Sequence, residues 1–282
     1  MGYRTILTYL PNERQAAAAI EAAAVLARRS NAHLTGLYVV PLMRLYATAP
    51  YGGADATAEL LAQHEAFHAA QAEAVRALFE RKVAGDTFTA AWAKVDSSFV
   101  DPLETIMEHG RTAELIVATQ DDPEEPDMAT GIAQRLMMNV GRPVLMVPAR
   151  ATVTSIGRDI TVGWNGSRES ARAVFDALPL LREAEMVHLV WVDPRVDPGE
   201  SPSRAADALA ATLARSGVTC EAVQGSSQGR DVGDELLQRV ADYGSDLLVM
   251  GGYGHSRLHQ WVFGGVTRKV LATMPVPVLM SH

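Results

Sequence analysis

Two groups of residues in this chain have types and spacings that chemistry could use. The first is rich in glycine: Gly251 and Gly254 stand three apart, and a further nine residues lead to the pair Gly264-Gly265. An apolar run, Leu247–Met250, precedes the first glycine, and a helical pattern with Val266, Val270 and Leu271 on one face follows the last. Strand, glycine loop and helix start suit an anion. Glycine lets the backbone approach phosphate closely, and the free N–H groups of a first helical turn attract negative charge. The second group is His64-Glu65-Ala66-Phe67-His68, an H-E-x-x-H pattern that puts both histidines on one helix face. That spacing can chelate zinc, with the glutamate as general base of a hydrolase. No third histidine stands at Ala74, so the zinc hydrolase is the lesser reading.

The elements that must position these groups alternate. Short strand patterns at Tyr3–Leu10, His33–Val40, Thr87–Lys94, Glu114–Thr119 and Pro143–Pro148 are separated by helical patterns. Those helices run from about Asn12 to Arg29, Ala54 to Val83, Asp101 to Gly110 and Ala129 to Asn139. This βαβαβαβαβ order predicts a parallel sheet covered by helices on both faces. The second half repeats the order, with strands at Asp159–Gly163, Met186–Asp193, Val218–Val223, Leu247–Met250 and Val276–Met280. Helices are expected there at Ser167–Glu183, Ser203–Ser216 and Asp231–Tyr243, with the last following Gly265. GIAQRLMMNVGRPVLMVP, from Gly131, aligns with GVTRKVLATMPVPVLMSH, from Gly265, so that Pro143 meets Pro277. One domain has been duplicated, with units at 1–149 and 150–282.

The spacing Gly251-x2-Gly254-x9-Gly264, with VTRKVLATMPVPVLM behind it, resembles the ATP-binding signature and closing helix and strand of universal stress proteins. The likeness covers both halves of the chain. It implies two tandem doubly wound domains, each a five-stranded parallel sheet of order 3-2-1-4-5, with the ligand over strands one and four where strand order reverses. It further implies a site in the second half built from Gly163, Asn165, Val192, Met250, Gly251, Gly254, His255, Gly264, Gly265, Val266 and Thr267. Two of these depart from the family pattern. Asn165 stands where an Asp is usual, and Gly265 where a Ser or Thr is usual, with Thr267 as a substitute hydroxyl. In the first half Leu10, Thr119, Asp122 and Thr130 take the Asp and three glycine positions, and Asp121, Asp122, Glu124 and Glu125 crowd the loop. Like charge repels a phosphate there, so that half is expected not to bind one.

The expected function is therefore a stress-response protein that binds ATP or a related adenine nucleotide, with or without magnesium, in its C-terminal domain. It would serve as a sensor or adaptor, with slow hydrolysis at most. The alternative is a scaffold that binds no nucleotide and works through protein contacts with an unidentified partner. Strand-five edges such as Pro277–Met280 can pair with their counterparts between lobes or between chains, and a homodimer through them is expected. The formal charge of −8 excludes general nucleic-acid binding. No apolar run reaches membrane-spanning length. The only cysteine, Cys220, leaves no intrachain disulfide. The cytoplasm is the default compartment. No catalytic constellation is found, and a phosphotransferase would need a metal carboxylate that Asn165 does not supply.

Overall fold

A computed structural model describes residues 2–41, 54–97, 101–121, 131–149, 152–193, 203–253 and 265–282. The first half runs β1 (Thr5–Tyr9), α1 (Glu13–Ser30), β2 (His33–Val40), α2 (Ala54–Val83), β3 (Ala90–Asp96), α3 (Pro102–Gly110), β4 (Leu115–Thr119), α4 (Ile132–Asn139) and β5 (Val144–Val147). The second runs β6 (Asp159–Gly163), α5 (Arg168–Asp176), α6 (Leu178–Leu181), β7 (Met186–Val192), α7 (Ser203–Arg215), β8 (Cys220–Gly225), α8 (Val232–Asp242), β9 (Leu247–Gly251), α9 (Gly265–Thr273) and β10 (Val278–Ser281). The single helix expected over Ser167–Glu183 is thus two. Pro179 has no N–H for the carbonyl four residues back, and α5 gives way to the short α6 around it.

Each half has the strand order 3-2-1-4-5, and the two halves join into one sheet of ten strands, β3-β2-β1-β4-β5-β10-β9-β6-β7-β8. Every neighbour pair is parallel except the central one, where β5 and β10 run antiparallel. There Leu145 faces Leu279, Val144 faces Met280 and Met146 faces Val278. Val144 and Val278 are also counterparts in the repeat, so the joint is self-complementary in the way of a two-fold dimer interface, within one chain. The strand-five edges therefore pair between lobes. A homodimer through the same edges is not available, because β5 and β10 each already have a strand on both sides.

The central strands are apolar throughout, as strands covered on both faces must be. Ile116, Val117, Val144, Leu145, Leu248, Val249, Val278 and Leu279 are all fully buried. Side chains pointing to one face join α1 and α5 in one core; those pointing to the other join α3, α4, α8 and α9 in a second. Alanines on α1 (Ala16, Ala19, Ala23 and Ala27) have no exposed surface and let that helix lie close against the sheet. Asn12 starts α1 by accepting the Gln15 N–H at 2.8 Å.

Polar contacts fix the lobes further. The Tyr3 hydroxyl donates to the Asp176 carbonyl at 2.7 Å, and Arg172 donates to the Gly141 carbonyl at 2.8 Å. Arg29 pairs with Glu183 at 2.9 Å.

Candidate anion site

At the C-terminal ends of β6 and β9 strand order reverses, because the chain continues to β7 on one side and to β10 on the other. The register sets Gly163 directly beside Met250, with Gly251 next along β9. Val192, half-buried, ends the adjoining β7. Gly163, Val192, Met250 and Gly251 are thus brought to one end of three adjacent strands. Met250 is buried. Gly163 is closely packed: a Cβ there would lie 3.0 Å from the Leu236 side chain, which would have to give way by a few tenths of an ångström.

Gly251 has a second reason to be glycine. A Cβ there would stand 2.4 Å from the Ser170 nitrogen and 2.5 Å from the Glu169 carbonyl carbon, so the start of α5 packs on bare backbone. Asn165 is exposed in the turn before α5, and its amide oxygen accepts the Ser167 N–H at 3.0 Å. Ser167 in turn caps α5 by accepting the Ser170 N–H at 3.1 Å.

On the far side of the site α9 begins at Gly265, which is exposed; no described residue lies within 4 Å of where its Cβ would stand. Val266 is half-buried. Thr267 is buried, and its hydroxyl oxygen accepts the Tyr253 N–H at 3.2 Å. That hydroxyl ties the end of β9 to the first turn of α9, with Tyr253 in the left-handed region at φ 56°. Gly254, His255 and Gly264, together with Ser256, Arg257, His259, Trp261 and Phe263, lie outside the described residues.

The N-terminal lobe closes the equivalent place. The Asp121 carboxylate accepts the N–H of Gly131, the residue that starts α4, at 2.8 Å. An acidic side chain of the protein thus occupies the helix pole that a phosphate would use. Burial raises the Asp121 pKa above its ordinary value, although the Gly131 N–H favours the charged form. Tyr9, buried, ends β1 where Gly163 ends β6. The strands also correct one expected equivalence. Leu10 N–H donates to Leu37 O as Trp164 N–H donates to Val190 O, so Leu10 matches Trp164, and Pro11 takes the place of Asn165. Asp122, Glu124, Glu125 and Thr130 lie outside the described residues.

One polar clamp beside the site was not legible beforehand. Asp193, at φ 44°, accepts the Ser227 N–H at 3.2 Å and also the Ser227 hydroxyl. The hydroxyl holds the Asp193 carboxyl below the usual carboxylate range. The pair ties the exit of β7 to the exit of β8, and no sequence spacing announces a contact between residues 34 apart.

The histidines of the H-E-x-x-H segment sit elsewhere, on α2. His68 is buried, and its Nδ1 lies 2.8 Å from the Tyr38 hydroxyl, which also meets Gln71 at 3.0 Å. Burial, with His64 and Lys94 nearby, pushes its pKa down to about 4. Among the described residues no group of three potential metal ligands exists. His68 is a hydrogen-bonded core residue.

The chain matches the Universal stress protein family over residues 2–148 and again over 157–282. It belongs to that family. A universal stress protein from Archaeoglobus fulgidus has a similar fold, with a TM-score of 0.67 at 14% identity, covering 98% of this chain and 95% of the other. A functionally unknown protein from Pseudomonas aeruginosa superposes with a TM-score of 0.58 at 14% identity, covering 99% of this chain and 92% of its own. At such identities the likeness establishes the fold alone. No curated protein matches this universal stress protein. No helix among the described residues is long and apolar enough to cross a membrane.

Proposed function

We propose that this tandem universal stress protein binds ATP or a related adenine nucleotide in its C-terminal lobe and acts as a stress-response sensor or adaptor, with slow hydrolysis at most. The observation that carries this reading is the contrast between two matching helix starts. Gly131 spends its N–H on Asp121, whereas Gly265 is exposed, with no described side chain against it. A helix N-terminus with free amides favours an anion by about 0.3–1 kcal/mol at a surface, and a phosphate that engages several amides gains more. Gly163 and Gly251 keep the floor of the site flat beside it, and Val192 and Met250 give an apolar flank suited to a base.

Calorimetric titration of ATP, with and without magnesium, into the native protein and Gly265→Glu tests the reading. The substitution puts a carboxylate at the start of α9, where it suits the helix but repels phosphate. Native binding weakened at least tenfold in the variant is expected. Equal binding to both would mean that the nucleotide lies elsewhere.

A second reading has its own support. The Asn165 oxygen is taken by Ser167 N–H and the Thr267 hydroxyl by Tyr253 N–H, so both side chains offered in place of the family's carboxylate and hydroxyl are already engaged. If the native protein takes up no nucleotide in that titration, it is a scaffold that works through protein contacts.

A further inference from the structure

Beside the central joint, between α4 and α9, lies a cavity of about 280 Å³. None of its lining residues belongs to the candidate anion site or to the His64–His68 segment. Its apolar wall comes from Ala133 and Met146 of the N-terminal lobe and Leu271 and Ala272 of the C-terminal lobe, and Asp121 and Arg268 face it from opposite lobes. That volume is near the lower end of small-ligand pockets, roughly 300–1,000 Å³.

The pseudo-two-fold axis through the Leu145–Leu279 pair relates this place to a second one, lined by different residues. Gln120 N–H donates to Val147 O at 2.8 Å as Gly252 N–H donates to Ser281 O at 3.0 Å, which makes Asp121 the counterpart of Tyr253. The matched Pro143 and Pro277 carbonyls, accepting from Ile116 and Leu248, make Leu271 the counterpart of Met137. At that second place the Met137 sulfur lies 2.4 Å from where a Cβ on Gly252 would be, and Tyr253 packs into the apolar core. The cavity side is held in place: Gln120 Nε2 donates across the joint to Leu271 O at 2.7 Å and to Ala272 O at 3.1 Å.

We propose that this seam cavity binds a small aliphatic zwitterion, with its ammonium on Asp121, its carboxylate on Arg268 and its apolar body against Met146, Leu271 and Ala272. Among the described residues Asp121 Oδ2 accepts the Gly131 N–H at 2.8 Å, and a carboxylate has lone pairs for further donors. Arg268 is exposed at the rim, where its fork can receive a carboxylate in two parallel bonds. A simple anion would meet Asp121, a simple cation would meet Arg268, and a neutral apolar molecule would strip both charges of water without replacing it. A zwitterion answers both. Because its partners come from two lobes, it stabilises the folded chain by binding only there.

The test uses leucine, 4-methylpentanoate and 3-methylbutylamine as probes, by calorimetry and thermal shift, on the full chain. Leucine is expected to bind and to raise the melting temperature, and each single-charge analogue to bind at least tenfold more weakly. Asp121→Asn and Arg268→Gln should each lose at least tenfold in leucine affinity; Arg268 is exposed, so its variant keeps the fold. No leucine binding, equal binding of the three probes, or unchanged affinity in Arg268→Gln would overturn the proposal.

Discussion

At the start of α4 the Gly131 N–H meets the Asp121 carboxylate at 2.8 Å; at the start of α9 the matching side chain is Tyr253, whose own N–H is instead held by Thr267 at 3.2 Å. The two places descend from one ancestor and sit at the same end of the same strands. A helix pole is equivalent to roughly half a positive charge. In one lobe that charge is neutralised from within; in the other Gly265 is exposed, with no described side chain against it. Duplication kept the architecture in both lobes and left different residues, Asp121 and Tyr253, at matching places before the two helices. The N-terminal lobe has taken on different work. It completes the sheet through β5, holds α9 through Gln120 and walls the seam cavity through Met146.

The contrast between the lobes also separates glycines kept for packing from those kept for a ligand. Gly251→Ala drives a methyl into the backbone of α5 and is expected to destabilise the protein by about 3 kcal/mol or more. Gly265→Ala, with no described neighbour within 4 Å, should stay within about 0.5 kcal/mol of native. Urea unfolding of both variants checks this; a Gly251→Ala protein as stable as native would remove the packing role. Next in size is Tyr253→Asp, which copies the N-terminal lobe's plug onto α9. Aspartate tolerates the left-handed φ of 56° at that position. ATP affinity should drop about tenfold, or 1.4 kcal/mol. An unaltered titration curve would show that residue 253 does not control the pole. Gln120→Ala removes the carbonyl cap on α9 and should cost about 1 kcal/mol, whereas Gly252, its counterpart, has no such bond to lose. If the thermal midpoint does not move, strand pairing alone holds the seam.

Much of this was readable from the chain itself, and the reasons are local. Buried runs such as Leu247–Met250 and Val144–Val147 announce strands, and the match of Pro143 to Pro277 announces the duplication. Glycine spacing marked the end of β9, because flat backbone is a property of residue type. Three things were not readable, since each depends on contacts distant in sequence. The Asp193–Ser227 clamp spans two strand ends. The Asp121–Gly131 bond turns an apparent acidic repulsion into a specific occupant of the helix pole. The β5–β10 pairing decides between lobes and chains, which edge composition cannot do, because identical edges suit either partner. His64 and His68 mark the opposite failure: the spacing was right for zinc, while Tyr38, thirty residues away, holds the His68 ring in the core.

Two titrating groups of the N-terminal lobe give pH effects of opposite sign. Asp121 has a pKa raised by burial in the folded chain, so the native state takes up its proton before the unfolded state does. Its contribution to stability therefore increases as pH falls through the raised value toward the ordinary carboxylate range. His68 titrates at about 4 when folded against about 6.5 when unfolded, so the unfolded chain binds the proton first and stability is lost as pH falls through that window. Urea midpoints measured from neutral pH down to about 4 should show a shallower acid loss in His68→Gln than in native protein. Asp121→Asn should show a steeper one, because it lacks the compensating rise. C-terminal Tyr253 carries no carboxylate, so grafting the plug as Tyr253→Asp is expected to add an acid-dependent term of the Asp121 kind. A Tyr253→Asp profile parallel to native would mean that the two helix poles are not equivalent environments, and that the likeness between the lobes ends at the backbone.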